Sequence, residues 1–299
     1  MEEKIFDGAF FRGLSRIRPI NNITLQSGRS GIRKSSAKGS SVEFSDFREY
    51  IPGDDIRRID WNTYGRTEKL FVKLFRDERE AYYSVLIDSS KSMDFGEGKK
   101  AVCALRMAGA FAYMALNNLD RVRLAMLKKD KNILSNGMSG MQAFNKAVRW
   151  LENVTFDGET KLLKAVKRVQ FTQKGITVII SDFFTYGISE KNMAELDELV
   201  RYLRYQKQEV ILVHVMLPEE REPVLEGTLA LTDCETKDKI NVTVTGRLCQ
   251  EYKKVFERFC NSIEETAKRY QAQYIKVSTD ETLEKFIYRG LKMGQLQNF

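Results

Sequence analysis

The stretch that decides the fold reads Tyr82-Tyr83-Ser84-Val85-Leu86-Ile87-Asp88-Ser89-Ser90-Lys91-Ser92. Its first six residues are nearly all apolar and too few for a helix, the pattern of a strand buried on both faces of a parallel sheet. A carboxylate and three hydroxyls follow at once. In open parallel sheets ligands bind beyond the carboxyl ends of the strands, so residues 88–92 are the first place to seek chemistry.

Outward from this stretch the chain alternates. Residues 99–117 carry Val102, Leu105, Ala108, Ala112 and Leu116 at helical spacing. Residues 122–127 form a second apolar strand, and helices are expected over 139–152 and 160–170. A third strand, 176–180, ends on Ser181-Asp182, and a helix over 189–205 succeeds it. Then come a strand over 210–217, a turn over 218–223, a hairpin over 228–244, a helix over 247–270, a strand over 274–277 and a closing helix over 281–291. Strands joined by helices require right-handed crossovers, so the expected fold class is α/β, a doubly wound, mostly parallel sheet covered on both faces.

Composition bounds what such a chain does. Its 299 residues suffice for one large domain with an appendage. No apolar run nears the ~18 residues of a membrane span, and Met1-Glu2-Glu3-Lys4 lacks the basic flank and apolar stretch of a secretory signal. A cytoplasmic location is therefore expected. Cys103, Cys234, Cys249 and Cys260 lie far apart without zinc spacing and read as reduced, small apolar residues.

The net charge of +8 is unevenly placed: between Gly8 and Val42 stand seven Arg or Lys and no acid. With its Ser- and Gly-rich runs, that segment reads as a flexible basic arm over 1–42. Residues 43–80 are dense in aromatic and charged groups and are expected to pack on a main domain over 81–299. Pro52-Gly53-Asp54-Asp55 marks a turn, and residues 70–75 a strand.

Three loops then offer oxygen. Asp88, Ser90 and Ser92 form D-x-S-x-S after the first strand, Asp182 follows another buried strand, and Thr160 lies in Asp157-Gly158-Glu159-Thr160 between them. Hydroxyls and carboxylates suit Mg²⁺ or Mn²⁺, hard cations that retain water and take few protein carboxylates. For single residues the rival is helix capping, by Asp88 and the serines on one side and by Thr160 on the other.

In this order the five positions resemble the metal-ion-dependent adhesion site of von Willebrand factor A domains. The resemblance implies that Ser90, Ser92 and Thr160 bind the cation through hydroxyls, while Asp88 and Asp182 bind directly or through water. One coordination place is left for a partner's acidic residue. A narrower resemblance, from Gly39 onward, is to domain-of-unknown-function family 58. It is carried by Phe47-Arg48-Glu49-Tyr50-Ile51-Pro52-Gly53-Asp54-Asp55-Ile56-Arg57-Arg58-Ile59-Asp60-Trp61, Leu70-Phe71-Val72-Lys73, Glu78, Asp233-Cys234-Glu235-Thr236 and Tyr252. One departure is Gly65-Arg66, where the family has Ala-Arg. This second resemblance implies a soluble adaptor that works beside a MoxR-type AAA+ ATPase, and movement of the closing helix when the site is filled.

Other function classes find less in the chain. His214, the one histidine, lies inside an apolar strand, and no phosphate-binding G-x-x-x-x-G-K-[ST] loop occurs, so a non-catalytic binding role is expected. A metal-dependent hydrolase remains an alternative because a cation with an open position activates water. Nucleic-acid or anionic-surface binding by the basic arm is another, although only Phe10 and Phe11 there could stack on bases. The charged residues of 52–61 also admit a local reading, with Arg57 or Arg58 paired to Asp54 or Asp60 and Trp61 as a core anchor.

Overall fold

The structure, a computed structural model, describes residues 5–15, 42–77, 81–94, 99–157, 159–186, 190–223, 227–232, 239–282 and 285. The chain divides into two compact units, one of Met1–Ile23 with Ala81–Phe299 and the other Thr24–Glu80.

In the larger unit the elements are α1 (Gly8–Ser15), β3 (Tyr82–Asp88), α3 (Lys99–Asn117), β4 (Arg121–Leu127), β5 (Ile133–Leu134), β6 (Met138–Ser139), α4 (Phe144–Glu152), α5 (Leu162–Lys167), β7 (Gly175–Ser181), α6 (Glu190–Tyr205), β8 (Gln208–Met216), α7 (Pro218–Arg221), β9 (Gly227–Thr232), β10 (Lys239–Val244), α8 (Gly246–Arg269) and β11 (Gln273–Ser278). The smaller holds β1 (Val42–Glu49), α2 (Trp61–Thr67) and β2 (Phe71–Asp77).

The main sheet runs β11-β8-β7-β3-β4-β5, with β6 also on β4. Pairings among β11, β8, β7, β3 and β4 are parallel, and only the short β5 and β6 run antiparallel. β5 meets Ala125 and Met126 while β6 meets Arg121 and Val122, so the two cover the outer edge of β4 in turn. The doubly wound, mostly parallel sheet expected from the sequence is what forms, with β3 at its centre.

Burial explains the arrangement. β3 and β7 are buried along nearly their whole length, as strands covered on both faces must be. One face takes α3, whose Ala104, Ala108, Ala112 and Ala115 are fully buried, so the helix axis lies close to the sheet. The other takes α5, α6 and α8, which gather Leu162, Val166, Leu199, Leu203, Phe259 and Ile263 around Leu86 and Ile179 of the strands. Gly175, at the start of β7, has no room for a side chain: a Cβ there would stand 2.2 Å from the Tyr82 carbonyl oxygen.

Two expectations are corrected. The start of the supposed flexible arm folds: α1 buries Phe10 and Leu14, with Phe6 just before it, and Phe6 and Phe10 rest over Gly109 of α3. Apolar residues four apart on one helical turn outweigh the basic composition of the segment. In the smaller unit the local ion pairs differ from those expected. Asp54 accepts from Arg48 at 2.8 Å and from the Ile51 N–H, whereas Asp60 caps α2 and lies 3.5 Å from Lys73. Trp61 is 63% exposed and anchors no core. A strand precedes this turn as well, since β1 pairs antiparallel with β2. The closing helix expected over 281–291 lies largely outside the described residues, as do residues 16–41 of the arm and Cys234.

Replacing Gly175 by Ala forces β7 away from Tyr82 and is expected to cost about 3 kcal/mol, in the range of overpacked core positions. Chemical denaturation of the variant against the wild-type chain measures it.

Candidate cation site

The carboxyl ends of β3 and β7 and the loop before α5 meet at one place. Asp88, the last residue of β3, is fully buried. Its Oδ1 accepts from the Ser90 N–H at 2.9 Å and its Oδ2 from Ser181 Oγ at 2.7 Å, so one carboxylate ties the end of β7 to the loop after β3. Ser90 Oγ stands 2.9 Å from Ser92 Oγ. Asp182 follows directly on Ser181, is fully buried, and accepts from the Phe184 N–H through Oδ1.

Thr160 joins through the backbone. Its hydroxyl donates to the Leu127 carbonyl at 3.1 Å, and Ser89 Oγ donates to the same carbonyl at 2.7 Å. The Asp157 N–H donates to the Ser89 carbonyl, which fixes this loop against the one after β3. Thr160 caps nothing: α5 starts behind Lys161, which makes no side-chain cap. With its proton committed, the threonine oxygen retains acceptor lone pairs. All five residues named from the sequence therefore lie on the loops that converge here, and all but the half-buried Ser92 are buried.

Two further groups belong to the place. Lys100, in the first turn of α3, is 1% exposed, and its Nζ donates to Asp182 Oδ2 at 2.8 Å and Glu220 Oε1 at 2.7 Å. Glu220 is itself held, its Oε2 accepting from the Leu217 N–H at 2.8 Å in the turn that follows β8. The ammonium also sits 5.0 Å from the centroid of the Phe184 ring. Sequence reasoning passed over both residues. The signal for Lys100 was its position, four residues before the buried Ala104 and eight before Ala108, which puts a lysine on the sheet-facing side of α3. Glu220 follows an apolar strand at its carboxyl end, as Asp88 and Asp182 do.

The charges do not balance. Three carboxylates face one ammonium, and that ammonium pairs with Asp182 and Glu220. Among the described residues Asp88 has no ion pair. Burial, then the nearby charge of Asp182, push its carboxyl up to about 6 against the bonds from Ser181 and Ser90. Burial opposes the charge on Lys100, but Asp182 and Glu220 outweigh it and hold the lysine above its usual range.

The donor chemistry fits a hard cation: Ser90 and Ser92 bring hydroxyl oxygens beside a buried carboxylate that has no ion pair among the described residues, and Thr160 lies on an adjoining loop tied to theirs through Ser89. Among the described residues no group of three His, Cys, Asp or Glu that could hold a metal ion occurs. His214, on β8, lies fully buried among Phe183, Phe256 and Phe259 with Nδ1 2.6 Å from the Tyr274 hydroxyl. Burial drives it down to about 3, and it is an aromatic packing residue.

A mostly parallel sheet with β3 central and helices on both faces defines the class, a doubly wound α/β protein. The chain belongs to the family described as "Protein of unknown function DUF58", which matches residues 46–259. It is 28% identical over 207 residues to the uncharacterized protein Rv1480 of Mycobacterium tuberculosis, covering 66% of this chain and 62% of that one. To YeaD of Bacillus subtilis it is 28% identical over 151 residues, covering 50% and 35%. The chain thus spans less than two thirds of the length of these curated relatives. Among solved structures it is similar to BatB from Bacteroides thetaiotaomicron, with a TM-score of 0.43, 15% identity, and coverage of 72% of this chain and 99% of that one. The SpRpn10 VWA domain gives a TM-score of 0.39 at 11% identity, covering 71% and 95%. No described helix is long and apolar enough to cross a membrane.

The raised Asp88 carboxyl has a sign that can be checked. A folded-state value above the unfolded one adds stability below the unfolded value, and that stability is lost as pH rises through about 6. In EDTA, stability measured at pH 5 relative to pH 7.5 should be greater in the wild type than in Asp88→Asn by about 1 kcal/mol. Denaturation midpoints of the two proteins at both pH values decide it.

Proposed function

We propose that the chain is a non-catalytic, cation-dependent protein-binding module that works with a MoxR-type AAA+ ATPase in assembling or remodelling other proteins. The observation that carries this reading is Asp88, a fully buried carboxylate without an ion pair among the described residues, bonded by Ser90 and Ser181 where three loops converge. An ionised carboxylate so placed calls for a positive charge that the described protein groups leave it without.

On this reading Ser90, Ser92 and Thr160 offer hydroxyl oxygens to Mg²⁺ or Mn²⁺, and Asp88 supplies the neutralising carboxylate. The bound cation contributes a Lewis-acidic face with a place open to an anionic oxygen. A partner's Asp or Glu is the group that fills it. Family membership and the von Willebrand factor A-like fold favour protein interaction, and the AAA+ partner is the one that the family resemblance implies. Binding without catalysis is supported by the fate of His214, which is sequestered in an aromatic cluster and cannot serve the crevice as a general base.

Calorimetric titration of Mg²⁺ should show binding by the wild type and none by Asp88→Ala. Equal affinity in the two overturns the site. Affinity capture from source extract, in Mg²⁺ against EDTA, should retain an AAA+ ATPase only with the cation present. Capture that resists EDTA but fails at modest salt would instead favour the anionic-partner alternative.

A further inference from the structure

Lys100 is the group that the cation reading does not use. Its ammonium is 1% exposed, bridges Asp182 and Glu220 at 2.8 and 2.7 Å, and lies beside the Phe184 ring. Phe184 in turn stacks on Phe259 of α8, 5.9 Å between centroids, so the lysine is set in a packed wall. Glu220 is fixed by the Leu217 N–H. A buried ion pair built this way does not open freely, because separating its members strands charges in a dry interior.

We infer that Lys100 is a positioning residue that holds Asp182 in its own ion pair, keeps that carboxylate off the cation, and so sets the cation's appetite for a partner's acid. This rests on the cation reading above. Divalent charge placed beside Asp88 alone is only half neutralised, and the remaining positive charge draws in an anionic ligand. If Asp182 also bound directly, the cation and two carboxylates would be neutral together, and a third carboxylate would gain little. Lys100 also accounts for why two buried acids coexist so near each other: it neutralises Asp182 without touching Asp88. The geometry thus divides the acids, Asp88 for the cation and Asp182 for the lysine.

The test uses Mn²⁺ as the probe on the full chain, with free Mn²⁺ read by electron paramagnetic resonance and inner-sphere waters counted by water-proton relaxation. Lys100→Met should bind Mn²⁺ roughly tenfold tighter, about the effect of one added charge contact, and with one water fewer, because Asp182 is released to the metal. Adding Asp182→Asn to Lys100→Met should erase both changes. Acetate, standing for a partner's carboxylate, should displace a Mn²⁺-bound water at lower concentration in the wild type than in Lys100→Met. Unchanged affinity and water count in Lys100→Met overturn the inference, as does the reverse order for acetate. Should Lys100→Met fail to fold, Lys100→Met with Glu220→Met removes the ammonium together with one of its acids and carries the same expectation. Asp88→Asn separates the two levels. If it binds Mn²⁺ like the wild type, the cation site itself falls. If it loses Mn²⁺ while Lys100→Met gains nothing, only the role of Lys100 falls.

Discussion

Negative charge buried at the ends of parallel strands is the constraint on which the rest of this structure turns. Asp88 and Asp182 stand fully buried at the carboxyl ends of β3 and β7, where water cannot solvate them. Carboxylates in such a place must be neutralised, bonded or protonated. The fold supplies part of each remedy: Ser181 and the Ser90 N–H bond Asp88, Lys100 neutralises Asp182, and Asp88 is left with a raised affinity for a proton. Asp88 alone of the three carboxylates is left without an ion pair among the described residues.

The architecture is organised to hold that carboxylate in place. The loops after β3 and before α5 are locked to each other by the Leu127 carbonyl, shared by Ser89 and Thr160, and by the Asp157 N–H to Ser89. The small alanines of α3 let its first turn deliver Lys100 to the ends of the strands. The exposed ion pairs elsewhere, such as Lys129 with Glu159, are screened by water and do not define the fold.

The smaller unit shows how family-specific residues can serve local structure. Of the charged residues between 52 and 61, Asp54 closes the turn with the Ile51 N–H, Asp55 caps the one-turn helix Ile56–Arg58, and Asp60 caps α2. Three aspartates do what short side chains with acceptor oxygens do best ahead of a helical turn. Ile59 and Val72 are buried, while Ile51, Ile56 and Trp61 are left to solvent.

Sequence by itself determined the alternation of strands and helices, because burial on both faces of β3, β7 and β8 demands apolar runs that no other element produces at that length. It also determined the oxygen-bearing loops, since Asp88, Ser90 and Ser92 are near neighbours in the chain and Asp182 ends an obvious strand. α1 was legible in principle from Phe6, Phe10 and Leu14 but was masked by the basic composition around it. Only the tertiary structure decided the partner of each charge. Lys100 meets Asp182 across 82 residues and Glu220 across 120, and no spacing rule reaches that far. The strand order brings these groups together, and burial then makes their few ångströms of separation decisive.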